Sequence, residues 1–174
     1  MSDINGPFET DRLLLRRAVP EDRDSFIELN ADPDVMRFIG TERRALARGT
    51  KESEEKADQH LAAASHQDGL QLWIIEWLKR PGFLGWVGLF ELPGSGNIEV
   101  GYRLMKNAWG HGIATEAATY MVQHGLRVMK LPMVCAVTYP ENEASRKVLE
   151  KAGLAYIGIR RYYDVDTAYF EIHA

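Results

Sequence analysis

The sequence predicts one domain of the α/β or α+β class, covering residues 1–174 and built on a mixed sheet. Two observations carry this prediction. Stretches rich in aromatic and β-branched residues alternate with stretches of good helix propensity. No internal repeat or Pro/Gly/Ser-rich linker divides them. A chain of this length buries a sizeable core as a single domain.

Local signals place the individual elements. Asn142 is a good N-cap, and Gly153 follows the helix that Asn142 begins. Residues 93–97 join two strands as a hairpin loop, and KRPG (79–82) and DVDT (164–167) are interpreted as turns. The predicted strands cover residues 10–17, 70–77, 83–92, 97–105, 132–139, 155–163 and 168–173, and the predicted helices cover residues 21–30, 35–39, 51–67, 114–129 and 142–152.

Composition narrows the class of protein. Apolar residues make up 45% and charged residues 26%, which is typical of a globular protein. The net charge of −4 argues against a nucleic-acid-binding domain, which is usually basic. No apolar run approaches the roughly 20 residues of a membrane-spanning helix, and no signal-peptide core is present. The single cysteine excludes an internal disulfide and a cysteine-based zinc cluster. We therefore expect a cytoplasmic protein that binds no metal, membrane or nucleic acid.

The stretch NAWGHGIATEAATYMV (107–122) places two glycines directly before a predicted helix. The first amides of a helix lack internal partners, and the helix dipole makes that end electropositive. Gly110 and Gly112 lack the Cβ atoms that would keep an anion at a distance. The pattern predicts a pyrophosphate cradle of backbone N–H groups, with Lys106 and His111 as further donors. The alternative is a glycine pair that only closes a turn. The spacing fits neither a dinucleotide fingerprint nor a P-loop.

Two motifs together resemble those of the GNAT acyl-CoA N-acyltransferases. The first, Arg/Gln-x-x-Gly-x-Gly/Ala, aligns with residues 109–114, where Trp109 replaces the usual Arg or Gln. The second is Asn-x-x-Ala/Ser followed by Lys-x-Gly-Phe, and it is matched by Asn142, Ser145, Lys151, Gly153 and Leu154. The segments TDRLLLRRAVPEDRDSFIELNADPDVMRFIG and GWVGLFEL…NIEVGYRL are similar to the RimJ/RimL-like branch, the ribosomal-protein N-terminal acetyltransferases.

This resemblance covers nearly the whole chain and implies the GNAT fold. That fold has a mixed, mostly antiparallel sheet of about seven strands, flanked by about four helices, with the fourth and fifth strands splayed apart. It also implies acetyl-CoA as the cosubstrate. The cofactor-binding residues implied by the motifs are Leu104, Met105 and Lys106 for the pantetheine, Gly110, His111, Gly112, Ile113, Ala114 and Thr115 for the pyrophosphate, and Asn142 and Ser145 on the other wall.

The implied reaction is direct transfer of an acetyl group from the thioester to a primary amine, on a protein N-terminus or a small molecule. An amine attacks only when neutral, so a base must remove a proton. Glu99 resembles the family carboxylate that serves as this base, usually through water. The alternative is a solvent-facing strand glutamate. Strand alternation puts Glu99 on the face of Gly101 and Arg103, unless a bulge re-aims it.

The proton donor for the leaving thiolate is assigned less directly from the sequence. Many GNAT enzymes use a tyrosine in the last helix, and the matching position here is Leu149. Ser145 is therefore the predicted replacement, and its alternative role is a helix-start serine that bonds local backbone. The missing tyrosine keeps a second function open, a non-catalytic CoA-binding module of the same fold.

Other polar residues are interpreted as structural. Glu116 favours the helix dipole, Cys135 belongs to the core, and His60 and His66 lie on the solvated surface of a helix. Asp164 and Asp166 are assigned to a turn in a region that often borders the acceptor in this family. The strand tryptophans, assigned either to the core or to the acceptor pocket, are Trp73, Trp77 and Trp86. The identity of the amine and the oligomeric state stay open, a homodimer included.

Overall fold

The computed structural model describes residues 4–65 and 69–174. The strands are β1 (Phe8–Glu9), β2 (Leu13–Arg16), β3 (Leu72–Trp77), β4 (Arg80–Glu91), β5 (Ile98–Leu104), β6 (Met133–Thr138), β7 (Ala155–Tyr162) and β8 (Val165–His173). The α-helices are α1 (Arg23–Ala31), α2 (Pro33–Met36), α3 (Lys51–Ala63), α4 (Ile113–Arg127) and α5 (Glu143–Lys151). Short 3-10 turns lie at Pro20–Asp22 and Lys106–Ala108.

These strands form one sheet in the order β1-β2-β3-β4-β5-β6-β8-β7. All neighbours are antiparallel except β5 and β6, which run parallel. The predicted class is confirmed, although the described residues form eight strands rather than about seven and five α-helices rather than about four. The additional strand is β1, which pairs with Leu14 and Leu15 of β2. None of the helices in the described ranges is long and apolar enough to cross a membrane.

Two predicted turns lie elsewhere in the structure. Residues 78 and 79 form the turn after β3, and Arg80 already pairs with Trp77, so most of KRPG belongs to β4. The turn after β7 lies at residues 163 and 164, and Val165 already pairs with Tyr162. In both places the strand begins earlier than predicted, because pairing with a neighbouring strand overrides the local preference for a turn.

Apolar clusters hold the helices against opposite faces of the sheet. The larger cluster lies under α4 and α5, and it includes Leu15, Val87, Val100, Met121 and Leu149, which are each at most 3% exposed. The smaller cluster lies under α1 and α3 and includes Phe26, Ile27, Ala57, Leu72 and Ile74. Burial of one such large side chain contributes about 1.5–3 kcal/mol. The α4/α5 face therefore supplies the larger share of the hydrophobic stabilisation.

The two helices of the α4/α5 face form as the sequence predicts. The buried stripe of α4 recurs at helical spacing and includes Ile113, Ala117, Ala118, Met121 and Val122. At the start of α5, the side chain of Asn142 accepts a hydrogen bond of 3.2 Å from the N–H of Ser145, which confirms the predicted N-cap. Leu149 is the buried residue of α5, so the helix packs through that position.

The parallel strands β5 and β6 meet at a single register position, where Glu99 lies opposite Cys135. Beyond this pair, β5 continues to pair with β4, and β6 continues to pair with β8. The two strands therefore part toward their C-terminal ends, as predicted for the fourth and fifth strands of the fold. We call the opening between residues 100–104 of β5 and 136–138 of β6 the strand gap.

Candidate active site

The turn between β5 and α4 leaves backbone N–H groups at the surface. Gly110 and Gly112 have φ values of +77° and +75°, in the left-handed region that favours glycine. Gly112 precedes α4, and no side chain caps the helix there. The first helical hydrogen bond, of 3.0 Å, runs from the N–H of Glu116 to the C=O of Gly112. The amides at positions 113–115 therefore precede the helical ladder and can bind an external acceptor.

Side chains near this glycine turn hold the loop rather than extend the predicted cradle. The ammonium of Lys106 pairs with Asp34 of α2, so the structure does not bring this side chain to the glycine turn. His111 is exposed, and its Nδ1 lies 2.7 Å from the C=O of Trp109. The indole Nε1 of Trp109 donates to the C=O of Leu104 at 3.2 Å, which ties the loop to the end of β5.

Glu116 anchors the start of α4 to the neighbouring strands. Its carboxylate accepts hydrogen bonds from the hydroxyl of Thr10 at 2.5 Å and from the N–H and Nε of Arg12 at 2.9 and 2.7 Å. Burial acts to raise the pKa of Glu116, and the bonds from Thr10 and Arg12 outweigh it and lower that pKa. Arg12 also donates to the C=O of His111 at 3.0 Å. These contacts support the structural role predicted for Glu116.

On the other wall of the strand gap, Ser145 of α5 contacts Tyr102 of β5. The two hydroxyl oxygens lie 2.8 Å apart, and the Tyr102 hydroxyl also donates to the C=O of Ser145 at 3.2 Å. Burial raises the pKa of Tyr102 to about 12. The pair therefore places two hydroxyl groups between β5 and α5. Sequence reasoning missed Tyr102, because its partner lies 43 positions away in the chain.

Glu99 is buried at the closed end of the strand gap. It belongs to the single β5–β6 pair, and only 8% of the residue is exposed. The hydroxyl of Tyr163 donates a hydrogen bond to its Oε1. Burial raises the pKa of Glu99 to about 7, and the bond from Tyr163 acts in the opposite direction. A carboxyl group with this pKa can exchange protons near neutral pH, and a solvent-facing position for Glu99 is wrong.

Tyr163 reaches Glu99 from the turn between β7 and β8. Tyr163 and Asp164 have φ values of +52° and +60°, which are uncommon for residues other than glycine. Arg161 donates to the C=O of Asp164 at 2.7 Å and forms an ion pair with Asp166 at 3.6 Å. Asp164 thus belongs to the turn, whereas the turn predicted for Asp166 is wrong, because Asp166 lies in β8 and pairs with Arg161 across the hairpin. The sequence analysis did not select Tyr163 as a site residue. A local feature that could have drawn attention to it is its place in a tight hairpin turn that lacks glycine.

Glu99 and Ser145 lie on opposite faces of β5. Val100 packs into the core under α4 and α5, whereas the side chain of Arg103 contacts α1. The register between β4 and β5 runs without a shift, so no bulge interrupts the two-residue alternation that puts Glu99 on the Arg103 face. A group held in the strand gap is therefore accessible to Glu99 from one face and to Ser145 from the other.

The structure also tests residues predicted to lie outside the site. Cys135 is fully buried and free, as expected of a core residue. The surface position predicted for His60 is wrong, because the residue is 8% exposed and stacks on Phe26 with the ring centroids 4.9 Å apart. Burial lowers the pKa of His60 to about 3. His66 lies outside the described residues. Across residues 4–65 and 69–174, no group of His, Cys, Asp and Glu side chains could hold a metal ion.

Comparison with known proteins identifies the family that the two sequence motifs predict. Residues 12–155 match the family model described as an acetyltransferase (GNAT) domain. The uncharacterized N-acetyltransferase YoaA of Bacillus subtilis is 30% identical over 160 residues, which are 89% of this chain and 86% of the relative. RimL, a ribosomal L7/L12 α-N-protein acetyltransferase solved with coenzyme A, has a TM-score of 0.74 at 15% identity and covers 96% of this chain and 97% of its own. AAC(6')-Ib, solved with ribostamycin and coenzyme A, has a TM-score of 0.75 at 18% identity and covers 94% of each chain.

The open sheet, parted between two parallel strands beside exposed helix amides, is that of an acetyltransferase. The chain belongs to the GNAT acetyltransferase family, as the match over residues 12–155 and the relative at 30% identity show. The family and the enzyme class predicted from the two motifs are therefore confirmed. RimL and AAC(6')-Ib are less than 25% identical to this chain, so they bear on the fold alone.

Proposed function

We propose that this chain transfers the acetyl group of acetyl-CoA directly to a primary amine, with Glu99 as the base. One observation carries the proposal. The carboxyl group of Glu99 is buried at the closed end of the strand gap, and burial raises its pKa to about 7. A buried carboxyl group at such a position is suited to take a proton from an ammonium group at neutral pH.

The residues around the strand gap fit acetyl-CoA. The pyrophosphate is anionic, and the free amides at positions 113–115, together with the dipole of α4, favour an anion. A Cβ at Gly110 would meet no atom of the described residues within 4 Å, and one at Gly112 would lie 3.3 Å from the Nη2 of Arg12, so the approach is open at Gly110 and borders a guanidinium at Gly112. We therefore assign the pyrophosphate to the backbone of Gly110–Thr115, without the side chain of Lys106.

The edge of β5 offers the pantetheine a strand-like partner. The N–H of Met105 donates to the C=O of Leu84 on the β4 side at 2.9 Å. Because backbone groups alternate in direction along a strand, those of Leu104 and Tyr102 face the strand gap instead, where the C=O of Leu104 also accepts the bond from the indole of Trp109. An extended pantetheine arm can pair with such an edge as an added strand does. We assign this contact to Leu104 in preference to Met105 and Lys106, with Asn142 and Ser145 on the opposite wall.

The chemistry divides between the two faces of β5. Glu99 accepts a proton from the attacking ammonium group, directly or through water, so that the amine attacks the thioester in its neutral form. The hydroxyl of Tyr163 orients the carboxylate of Glu99 and favours its charged form. On the other face, we assign Ser145 as the proton donor for the leaving thiolate, with Tyr102 hydrogen-bonded behind it. Leu149 cannot take this role, because its hydrocarbon side chain has no proton to donate, and it packs in the core instead.

The acceptor is a primary amine, and the fold does not choose among the amines. The printed descriptions connect RimL with a ribosomal protein and AAC(6')-Ib with ribostamycin, although the two share this fold. The RimJ/RimL-like segments favour a protein N-terminus, and a small-molecule amine is the other choice. A cytoplasmic location remains part of the proposal, and the oligomeric state remains open.

The test follows thiol release from acetyl-CoA, in the presence of primary amines, for wild type, E99Q and Y163F. E99Q keeps the shape of the side chain and cannot accept the proton, so kcat/KM should fall by about 10²–10⁴-fold. In wild type, kcat/KM should rise with pH through about 7, as Glu99 loses its proton. Y163F removes a hydrogen bond that lowers the pKa of Glu99, so this midpoint should move to higher pH.

Thermal unfolding with acetyl-CoA separates binding from catalysis, and NADH serves as the control ligand. At a ligand concentration of roughly 100 times Kd, linkage gives about 2.7 kcal/mol of stabilisation. Stabilisation without amine-dependent thiol release would leave the CoA-binding module as the function. A wild-type rate and pH profile in E99Q would remove Glu99 as the base.

A further inference from the structure

The face of β5 that carries Glu99 continues into a partly solvent-accessible surface. Glu99, Gly101 and Arg103 follow one another on this face, opposite Trp86 and Phe90 of β4. All except Glu99 keep partial exposure, although β4 and β5 are the two middle strands of the sheet. A Cβ on Gly101 would lie 3.4 Å from the ring of Phe90 and 3.7 Å from that of Trp86, so glycine leaves room there. We call these five residues the acceptor face.

Arg103 brings a positive charge to the acceptor face without an acidic partner. Its Nη1 donates to the Oδ1 of Asn30 at 2.5 Å and lies 3.7 Å from the Sδ of Met36. The guanidinium also lies 5.5 Å from the ring of Trp86. Its Nε is buried and has no hydrogen-bond partner within the described part of the chain. Among residues 4–65 and 69–174, no Asp or Glu forms an ion pair with Arg103, and burial lowers its pKa to about 10.

The groups around Arg103 that are described below are cations or hydrogen-bond donors, and none of them is a carboxylate. Lys56 of α3 is half-buried, and its burial and the charge of Arg103 lower its pKa. His60, one turn further along α3, has its pKa lowered to about 3 by burial and by the charges of Arg103 and Lys56. The Nδ2 of Asn30 and the Nε1 of Trp86 are buried donors without partners among the described residues. Buried cations in proteins are normally paired, so this arrangement calls for an anion.

We propose that the acceptor is a small primary amine that also carries a carboxylate, bound by Arg103 and Lys56 while its amino group lies at Glu99. The inference rests on the proposed function and names the substrate class of the same site. A guanidinium binds a carboxylate through two parallel N–H···O bonds, and the buried Nε of Arg103 has no partner among the described residues. No other residue of the acceptor face is cationic.

The spacing of the two groups sets the length of the acceptor. Glu99 and Arg103 are four residues apart on one extended strand, a separation of about 13 Å between their Cα atoms. An α-amino acid joins its own amine and carboxylate through one carbon atom, which is short beside this spacing of the two residues along β5. ω-Amino acids and dipeptides share the required chemistry, because several atoms separate their amino group from their carboxylate.

The experiment compares acceptors that differ only in the carboxylate. The pairs are 5-aminopentanoate and its amide, 6-aminohexanoate and its amide, and glycylglycine and its amide. The first two pairs represent ω-amino acids, and the third represents dipeptides. In wild type, we expect kcat/KM to be at least tenfold higher for the acid of a pair than for its amide, chiefly through a lower KM. Calorimetric titration of the same compounds in the presence of CoA measures binding without turnover.

Variants assign the effect to the two cations. R103M should abolish the preference for the acid, and R103K should retain part of it. K56Q should reduce the preference about threefold, because Lys56 contributes charge beside Arg103. K51Q is the matched control, since Lys51 is exposed on the same helix and pairs with Glu55 at 3.4 Å, and it should leave the preference unchanged. If R103M does not fold, K56Q and the acid–amide pairs decide the question.

The outcomes separate this inference from the proposed function. If each amide binds and reacts as well as its acid, the anion site is wrong and the acetyl transfer stands. If the acids bind with the expected preference and no thiol is released, the anion site stands and the proposed reaction fails.

Discussion

The two faces of the central strands differ in what they bury. Under α4 and α5 apolar side chains form the larger core, which also contains His124 of α4 and a buried Nε1 of Trp73 that has no partner among the described residues. Under α1 and α3 the core is smaller, and polar atoms of Asn30, His60, Trp86 and Arg103 are buried without partners among the described residues. Each unsatisfied group costs about 1–3 kcal/mol. The α4/α5 face therefore supplies the larger apolar core, and the α1/α3 face gives up stability in the region where a substrate would bind.

The largest expected effect on stability lies on the α4/α5 face. Leu149→Ala should lower the free energy of unfolding by about 2–5 kcal/mol, because it opens a cavity in the larger core. Leu61→Ala, at a partly buried position packed on the smaller core, should cost less. Urea denaturation of both variants measures the difference, with Lys147→Ala on the exposed side of α5 as the control. Equal losses at positions 149 and 61 would contradict the division between the faces.

The glycine turn should matter for acetyl-CoA more than for folding. Gly112→Trp should weaken acetyl-CoA binding at least 100-fold, about 2.7 kcal/mol, because the side chain covers the free amides of α4. The substitution also strains the backbone at φ +75°, by about 1–2 kcal/mol. Gly94→Trp has the same φ in a distant hairpin loop and reports the strain alone. Calorimetric titration that finds unchanged affinity in Gly112→Trp would place the cradle elsewhere.

A pH-dependent effect on stability is expected on the α1/α3 face. The pKa of His60 is lowered from 6.5 to about 3 by burial, so between these values the unfolded chain binds a proton that the folded chain does not. Stability is therefore lost as the pH falls through this window. Relative to His60→Leu, wild type should lose up to about 1.4 kcal/mol per pH unit between pH 6 and pH 4. Parallel stability curves for the two proteins, measured by urea denaturation, would show that His60 is not a buried neutral residue.

The sequence predicts those elements whose signals are local. Helix α5 begins after Asn142, and helix α4 begins after Gly112, because a cap or a glycine marks each start. Strand β1 has two residues and exists only through its pairing with β2, so no pattern in the sequence announces it. His60 lies on a helix of polar composition, and its burial comes from stacking on Phe26, a tertiary contact that helical periodicity does not contain.

The same limit applies to the candidate site. Glu99 and Ser145 were found because they stand within strand and helix motifs that can be read along the chain. Their hydrogen-bond partners, Tyr163 and Tyr102, could not be identified in this way, because they lie 64 and 43 positions in the chain from the residues that they contact. The sequence likewise cannot show that Arg103 lacks an acidic partner, because the fold determines which carboxylates lie within ion-pair distance of it.

In the β7–β8 turn, the residue at position 163 that would best stabilise the backbone is not the residue that supports Glu99. Hairpin turns of this kind are most relaxed as Asn-Gly, and left-handed residues other than glycine cost about 1–3 kcal/mol each. Directed evolution for thermostability would therefore favour Tyr163→Asn and Asp164→Gly alike. The first change removes the hydroxyl that orients Glu99, and the second leaves it in place. Position 164 is thus open to stabilising engineering, whereas position 163 gains robustness only as the base loses its support.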